Sequence, residues 1–242
     1  MNRVARRPAT LPPVSSHGPD PIRVAVHLDD SPTLDLVLVR HGQQTPPVPG
    51  GTVREQRDPP LTELGLRQKE AVAGVLAPEP VEAVYCSNLQ RAHQTGIAIA
   101  GRHGLEPTVL EDLREIELGR DRPSDTPLPE LLGEAAWMDA KAAFQAGRRW
   151  DDFPFCEPST DFRNRIVNAI DSIRVAHPTG RVVVACHAGV INALVAEELG
   201  ISADFWFMPA HCSVQRLRAR PGRMVLQSTN ETAHLTGELE TY

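Results

Sequence analysis

The residues of this 242-residue chain best placed to do chemistry are two histidines, each following a short apolar run. The first stands in Leu34-Asp35-Leu36-Val37-Leu38-Val39-Arg40-His41-Gly42, and the second in Val182-Val183-Val184-Ala185-Cys186-His187-Ala188-Gly189. A third run, Val81 to Cys86, is followed by Ser87-Asn88-Leu89-Gln90-Arg91. Runs this short and this rich in Val read as buried strands, which an α/β protein covers on both faces. In open α/β sheets ligands sit beyond the carboxyl ends of the strands. An imidazole delivered there can attack an electrophile. A guanidinium beside it can grip phosphate oxygens in pairs through its planar fork. Gly42 lets the backbone turn and come close to a ligand.

Arg91 falls in the first turn of a helix read from Gln90 to about Arg102, and Ala188-Gly189 precedes the helix read from Val190 to Leu199. Helix N-termini present free N–H groups and favour anions, so a cation in that first turn points to an anionic partner. Arg40, Arg91, His41, His187 and the amides near Ala188 and Gly189 therefore describe a phosphate pocket, provided that the sheet is parallel. Taken singly, each has a bland alternative. Arg40-His41-Gly42 could be an ordinary strand end, His187 a satisfied histidine and Arg91 an exposed helix residue. The order of the motifs along the chain decides between these readings.

Composition narrows the classes. The net charge is 25 − 31 = −6, so the chain lacks the basic footprint of a nucleic-acid binder. No apolar run approaches the roughly 20 residues of a membrane span. Arg3, Arg6 and Arg7 are followed by Pro and Ser where a secretory signal would be apolar, so a cytoplasmic location is expected. Cys86, Cys156, Cys186 and Cys212 lack metal-type spacing and read as free thiols in a reducing compartment.

The elements that must position these residues follow in order. Residues 1–20 are rich in Pro, Ser and Arg and read as a flexible lead-in, and residues 21–242 read as a single domain. Ile22 to Leu28 could add a strand. The stretch from Gln43 to Pro60 carries so many prolines and glycines that it reads as loop, with Arg54 and Arg57 either reaching the site or, by default, solvated surface charges. Thr62 is set as N-cap of a helix that runs to Pro78, and Thr108 to Leu110 forms a short strand. A helical segment from about Leu128 to Arg149 looks like an insertion over the site, spanning roughly 120–155. Ser159 is set to cap a helix with Phe162, Ile166, Ile170 and Ile173 on one face. Val214 to Leu217 and Met224 to Gln227 read as a closing hairpin around Pro221-Gly222. His93, His103, His177, His211 and His234 read as structural or solvated. Phe205-Trp206-Phe207-Met208 could be core, pocket wall or a homodimer interface, with core the default.

Four motifs in this order resemble the histidine phosphatase superfamily, also called the phosphoglycerate mutase-like family. Arg40-His41-Gly42 resembles its first signature, and Ser87, Arg91, Ala92 and Thr95 its Ser-x-x-x-Arg-Ala-x-x-Thr pattern. Leu113-Arg114-Glu115 resembles the segment that holds its acid/base, and Cys186-His187-Ala188-Gly189-Val190-Ile191 its second histidine box. Glu157-Pro158-Ser159 stands where many members have Gly-Glu-Ser.

The resemblance covers about Leu34 to Leu235. It implies a three-layer α/β sandwich with a mostly parallel central sheet flanked by helices. It also implies a phosphatase of small phosphorylated metabolites that needs neither metal nor other cofactor. His41 would be the nucleophile and Glu115 the acid/base, with His187, Arg40 and Arg91 balancing phosphoryl charge. Gly42, Gln43, Gln44, Thr45, Ala188 and Gly189 would be binding positions around the phosphate.

Two departures stand out. Thr45 comes one place later than the family's Thr or Ser. Gly119-Arg120-Asp121-Arg122-Pro123 replaces the Gly-x-Trp-Glu-Gly stretch of many phosphatases, which makes Arg120 and Arg122 candidates for an acidic substrate tail. A phosphoglycerate mutase is the nearest rival. The resembling mutases carry Glu-Arg-x-Tyr-Gly where this chain has Glu115-Ile116-Glu117-Leu118-Gly119, which favours hydrolysis. A non-catalytic phosphate-binding member would be expected to lose His41, Arg91 or His187, and all three are present. A cysteine phosphatase needs five residues between its cysteine and arginine, and only four separate Cys86 from Arg91. A metal hydrolase lacks local ligand partners for His41 and His187.

Overall fold

The computed structural model describes residues 32–46, 51–123, 125–127, 130, 132–220 and 222–242. The expected lead-in at 1–20 and the strand at Ile22 to Leu28 lie outside the described residues, as do Leu128, Leu131 and Pro221.

The apolar run before His41 forms strand β1 (Leu34–Arg40), which is buried along nearly its whole length. It is followed by α1 (Val53–Arg57), α2 (Glu63–Leu76), β2 (Ala83–Cys86), α3 (Gln90–Gly101) and β3 (Thr108–Val109). Then come α4 (Glu134–Gly147), α5 (Ser159–Ala176), β4 (Gly180–Cys186), α6 (Ala188–Leu199), β5 (Val214–Arg220) and β6 (Arg223–Glu231). One six-stranded sheet runs in the order β3-β2-β4-β1-β5-β6. Its first four strands are mutually parallel, and β5 and β6 close the sheet as an antiparallel pair.

Alternation along β1 divides the core into two layers, because successive strand side chains point to opposite faces. Leu34, Leu36 and Leu38 meet Phe162, Ile166, Ile170 and Ile173 of α5 and Ile191 and Val195 of α6. Val37 and Val39 meet Val72 and Leu76 of α2 and Ile99 of α3. Each fully buried Leu, Ile or Val contributes about 1.5–3 kcal/mol relative to exposure. The outcome is the expected three-layer α/β sandwich, with the carboxyl ends of β1, β2 and β4 side by side.

Two expectations need correction. Residues 53–57, inside the stretch read as loop, form α1. Thr52 accepts from the Glu55 amide while the Glu55 carboxylate accepts from the Thr52 amide, a capping box that stabilises so short a helix. Ser159 is the first helical residue of α5 and not its cap. Its hydroxyl donates to Asp204 Oδ2 at 2.6 Å, and its amide donates to Asp151 Oδ1 at 2.8 Å. Thr62 does cap α2, accepting from the Gly65 amide at 3.0 Å.

His211 is buried and hydrogen-bonded, within its expected structural reading, and is taken up below. His177 and His234 are structural: the first bonds the Tyr85 hydroxyl at 3.0 Å and the second donates to the Cys212 carbonyl at 2.9 Å. Helix α4, in the segment read as an insertion, packs through aromatic contacts. Phe144 stacks on Trp150 at 4.7 Å and also meets Phe153 and Phe205. Trp206 and Phe207 lie against the α5/α6 core layer, the default reading of that cluster.

Candidate active site

β1 ends in Arg40, and the chain turns at His41 and Gly42 against the start of α2. A Cβ on Gly42 would lie 2.5 Å from the Gly65 carbonyl oxygen, so glycine is required for that approach. The His41 amide donates to the Cys186 carbonyl at 2.9 Å, which locks the end of β1 to the end of β4. β4 in turn delivers His187, the N-cap residue of α6. The two imidazole centroids lie 5.1 Å apart, and both residues are buried.

His41 Nδ1 lies 2.7 Å from the Gly42 carbonyl oxygen, which can only accept. The proton is therefore on Nδ1 and the lone pair on Nε2. Arg91 Nε approaches that nitrogen at 3.3 Å. Burial, then the neighbouring His187, Arg91 and Arg40, hold the His41 pKa well below the ordinary value. Burial, Arg91 and Arg40 do the same for His187. Both rings are neutral near neutral pH, and a neutral imidazole is the nucleophilic form.

Among the described residues neither ring nitrogen of His187 has a hydrogen-bond partner, nor does Arg40 Nε, although all three are buried. Buried polar groups are nearly always paired, so such a concentration of orphans calls for a ligand with several acceptor oxygens. Arg40 and Arg91 supply the positive charge. Burial lowers the Arg40 pKa to about 10, with Glu115 opposing that shift, and both guanidiniums remain cationic at neutral pH.

Glu115 is fixed from two sides. Its Oε1 accepts from the Ile116 amide at 2.9 Å and its Oε2 from the Gly189 amide at 3.0 Å. A Cβ at position 189 would collide with that carboxylate, so Gly189 is a requirement of the site. The Gly189 amide thus serves Glu115 and not an anion directly, which modifies the expected binding role. Ala188 opens α6 behind His187.

Of the other expected binding positions, Gln44 lines the cavity. Gln43 acts as scaffold, its amide donating to Gln68 Oε1 at 2.7 Å and its side chain accepting from Thr62 Oγ1 at 2.8 Å. Thr45 is exposed and pairs through its backbone with Pro60. The Gly42 amide donates to Thr95 Oγ1 at 3.3 Å, and that hydroxyl donates to the Arg91 carbonyl at 2.8 Å.

Outside the imidazoles lies a cavity of about 430 Å³, bounded by Arg91, Glu115, Arg57, Arg114, Asn88 and Trp150 among others. Trp150 brings the insertion into its wall. Arg57 reaches the cavity, the less favoured of its two expected roles: it lines the wall in an ion pair with Glu117, and its carbonyl accepts from Arg91 Nη1 at 3.2 Å. Arg120 and Arg122 do not line the cavity. Arg120 lies 3.9 Å from Asp161, and Arg122 covers the Phe155 ring at 3.6 Å.

Sequence reasoning missed three contributors. Asp58 caps α3 from outside, accepting from the Gln90 amide at 2.9 Å, and sits 3.6 Å from Arg91 Nη1. Arg165 grips Glu157 with two contacts of 2.7 Å and donates to the carbonyls of Asp112, Arg114 and Glu115. His211 Nε2 lies 2.9 Å from Arg40 Nη2. Only the Glu157-Pro158-Ser159 resemblance touched this network in sequence.

Among the described residues no group of three His, Cys, Asp or Glu side chains is placed to hold a metal ion, and no helix is long and apolar enough to cross a membrane. Burial pushes the Cys86 thiol up to about 12, which keeps it protonated and unreactive.

Comparison with known proteins agrees with this geometry. Residues 36–232 match the histidine phosphatase superfamily (branch 1). A metal-independent phosphoserine phosphatase of Arabidopsis thaliana is 31% identical over 212 residues, covering 86% of this chain and 85% of that protein. A probable phosphoglycerate mutase of Yersinia pestis is 29% identical over 211 residues, covering 84% and 95%. A solved mycobacterial glucosyl-3-phosphoglycerate phosphatase superposes with a TM-score of 0.66 at 27% identity, covering 82% of this chain and 99% of that one.

Proposed function

We propose that this chain, which belongs to the histidine phosphatase superfamily, hydrolyses a small phosphomonoester through a phosphohistidine on His41. The observation that carries the reading is the buried imidazole pair, with the His41 lone pair on Nε2 met by Arg91 Nε and both nitrogens of the His187 ring unpartnered among the described residues. His41 Nε2 forms the bond to phosphorus as the P–O bond to the leaving group breaks. Glu115, protonated for this step, gives its proton to the leaving oxygen. It then takes a proton from the water that displaces the histidine, releasing orthophosphate. His187, Arg40 and Arg91 stabilise charge on the three non-bridging oxygens, an electrostatic task for which they are already oriented. Arg91 withdraws its Nε contact from His41 as the phosphoryl oxygens arrive.

The leaving group is proposed to carry a carboxylate. Arg114 lines the cavity one residue before Glu115, and its nearest carboxylates, on Asp112 and Glu157, are each 3.7 Å away. Glu157 is already satisfied by Arg165, which leaves Arg114 charge to offer a ligand. Phosphoserine and phosphoglycerate, in the names of the relatives, both carry that group.

The test is steady-state turnover of p-nitrophenyl phosphate in EDTA by wild type and His41→Ala, without added phosphoglycerate. Turnover by wild type alone is expected. Equal turnover by both proteins would remove His41 as nucleophile, and phosphoglycerate interconversion without hydrolysis would select the mutase alternative. Arg114→Gln should lower kcat/KM for phosphoserine by about tenfold while sparing p-nitrophenyl phosphate, since the lost contact is a charge-assisted hydrogen bond.

A further inference from the structure

Arg40 is the cation nearest in sequence to the nucleophile, and its guanidinium is engaged on one side only. Nη1 donates to the Pro209 carbonyl and touches Met208 Sδ at 3.7 Å, while Nη2 meets His211 Nε2 at 2.9 Å. Nε is buried with no partner. A guanidinium has donors and no acceptor, so His211 Nε2 must accept. The His211 proton is then on Nδ1, which lies 3.0 Å from Thr241 Oγ1. That hydroxyl also accepts from Gln68 Nε2 at 2.7 Å. The Thr241 carbonyl accepts from the His211 amide at 2.8 Å, so the ring is fixed through backbone and side chain together. Gln68 is fully buried, and its Oε1 accepts from the Gln43 amide two residues beyond His41. One chain of hydrogen bonds thus runs from Arg40 through His211, Thr241 and Gln68 back to the turn that carries His41.

We infer that His211 is a positioning residue for Arg40, with its tautomer set by Thr241, so that Arg40 presents its unengaged Nε to the phosphoryl group. The inference rests on the phosphate-site reading above. Two further observations agree with it. The His211 ring lies 5.9 Å from the His41 ring, too far for a direct hydrogen bond and close enough to share a wall. Burial and the adjacent Arg40 keep His211 neutral, the state in which Nε2 can accept. A protonated ring would turn a donor on Arg40, and a side chain without an acceptor would leave Nη2 unpaired.

The test measures orthophosphate affinity by calorimetry on the full chain, together with p-nitrophenyl phosphate turnover and Tm, for wild type, His211→Phe, His211→Gln and Thr241→Val. Gln can place its carbonyl oxygen where Nε2 stands. His211→Phe should weaken phosphate binding about tenfold and lower kcat by a similar factor, less than the roughly 10²-fold that a full ångström of misplacement can cost. His211→Gln should stay within about threefold of wild type on both, and Thr241→Val should fall between. Unchanged affinity in His211→Phe would overturn the inference. So would equal losses in the Phe and Gln variants, which would mark a packing role. If His211→Phe does not fold, Thr241→Val decides: wild-type affinity there overturns the inference. A wild type that binds phosphate, responds to these substitutions and turns nothing over would sink the phosphatase reading and leave the positioning role intact.

Discussion

The two sides of the site are built on opposite plans. Around His41 and His187, buried nitrogens are left unpaired: among the described residues, neither His187 nitrogen nor Arg40 Nε has a partner. Around Glu115 almost every group is tied down. Its two carboxylate oxygens take backbone amides, and Arg165 donates to the carbonyls of Asp112, Arg114 and Glu115 while holding Glu157 bidentately. Leaving a buried polar group unpaired typically costs about 1–3 kcal/mol, a cost that the rest of the fold offsets. The second side is held by its own hydrogen bonds. On the proposed reading the unpaired nitrogens serve the phosphoryl oxygens, and the fixed side holds the acid/base.

Substitutions on the unpaired side should strike activity and spare the fold. His187→Ala should reduce kcat by about 10²–10³-fold, the scale for removing one preorganised donor, with Tm near wild type. Steady-state kinetics with thermal melting checks this, and a variant that keeps wild-type kcat would remove His187 from the cradle.

Substitutions on the tied side should strike stability first. Arg165→Met leaves Glu157 buried without its partner and should cost about 3–5 kcal/mol in urea denaturation. The double variant Arg165→Met/Glu157→Gln should recover part of that loss, since it removes the uncompensated charge. Full stability in the single variant would show that the network around Glu115 is not what holds it.

The smallest effect separates the sides by pH. His41, His187 and His211 all have pKa values lowered by burial, His211 to about 3. The unfolded chain therefore binds protons that the folded chain refuses, so stability is full above the ordinary value near 6.5 and falls as pH drops below it. Each histidine contributes at most about 1.4 kcal/mol per pH unit to that slope. His211→Gln should flatten the slope between pH 6 and 4 by about this amount. An unaltered slope would contradict a neutral buried His211. Saturating phosphate should raise the unfolding midpoint of wild type in proportion to its binding.

The central sheet and the inner cradle were legible because their signals are local. Arg40-His41-Gly42 and Cys186-His187 sit at the ends of unmistakable apolar runs, and Arg91 falls in a helix's first turn. What was illegible comes from residues distant in sequence. His211 meets Arg40 across 171 positions, and Asp58 caps a helix from 32 positions away. No periodicity announces such partners. Solvation was the default reading of Arg57 because its ion pair joins the last residue of α1 to Glu117, 60 positions on. α1 was missed for a different reason. Its Thr52 to Glu55 capping signal was present, and the surrounding prolines outweighed it.

The central claim is that phosphorus passes through His41 Nε2. Rapid acid-free quenching of wild type with a ³²P-labelled phosphomonoester, followed by peptide mapping, tests it most directly. The account predicts label on the peptide that contains His41, stable to base and lost in acid, and none in His41→Ala. Turnover at a wild-type rate with no label, or label that persists in His41→Ala, would contradict it.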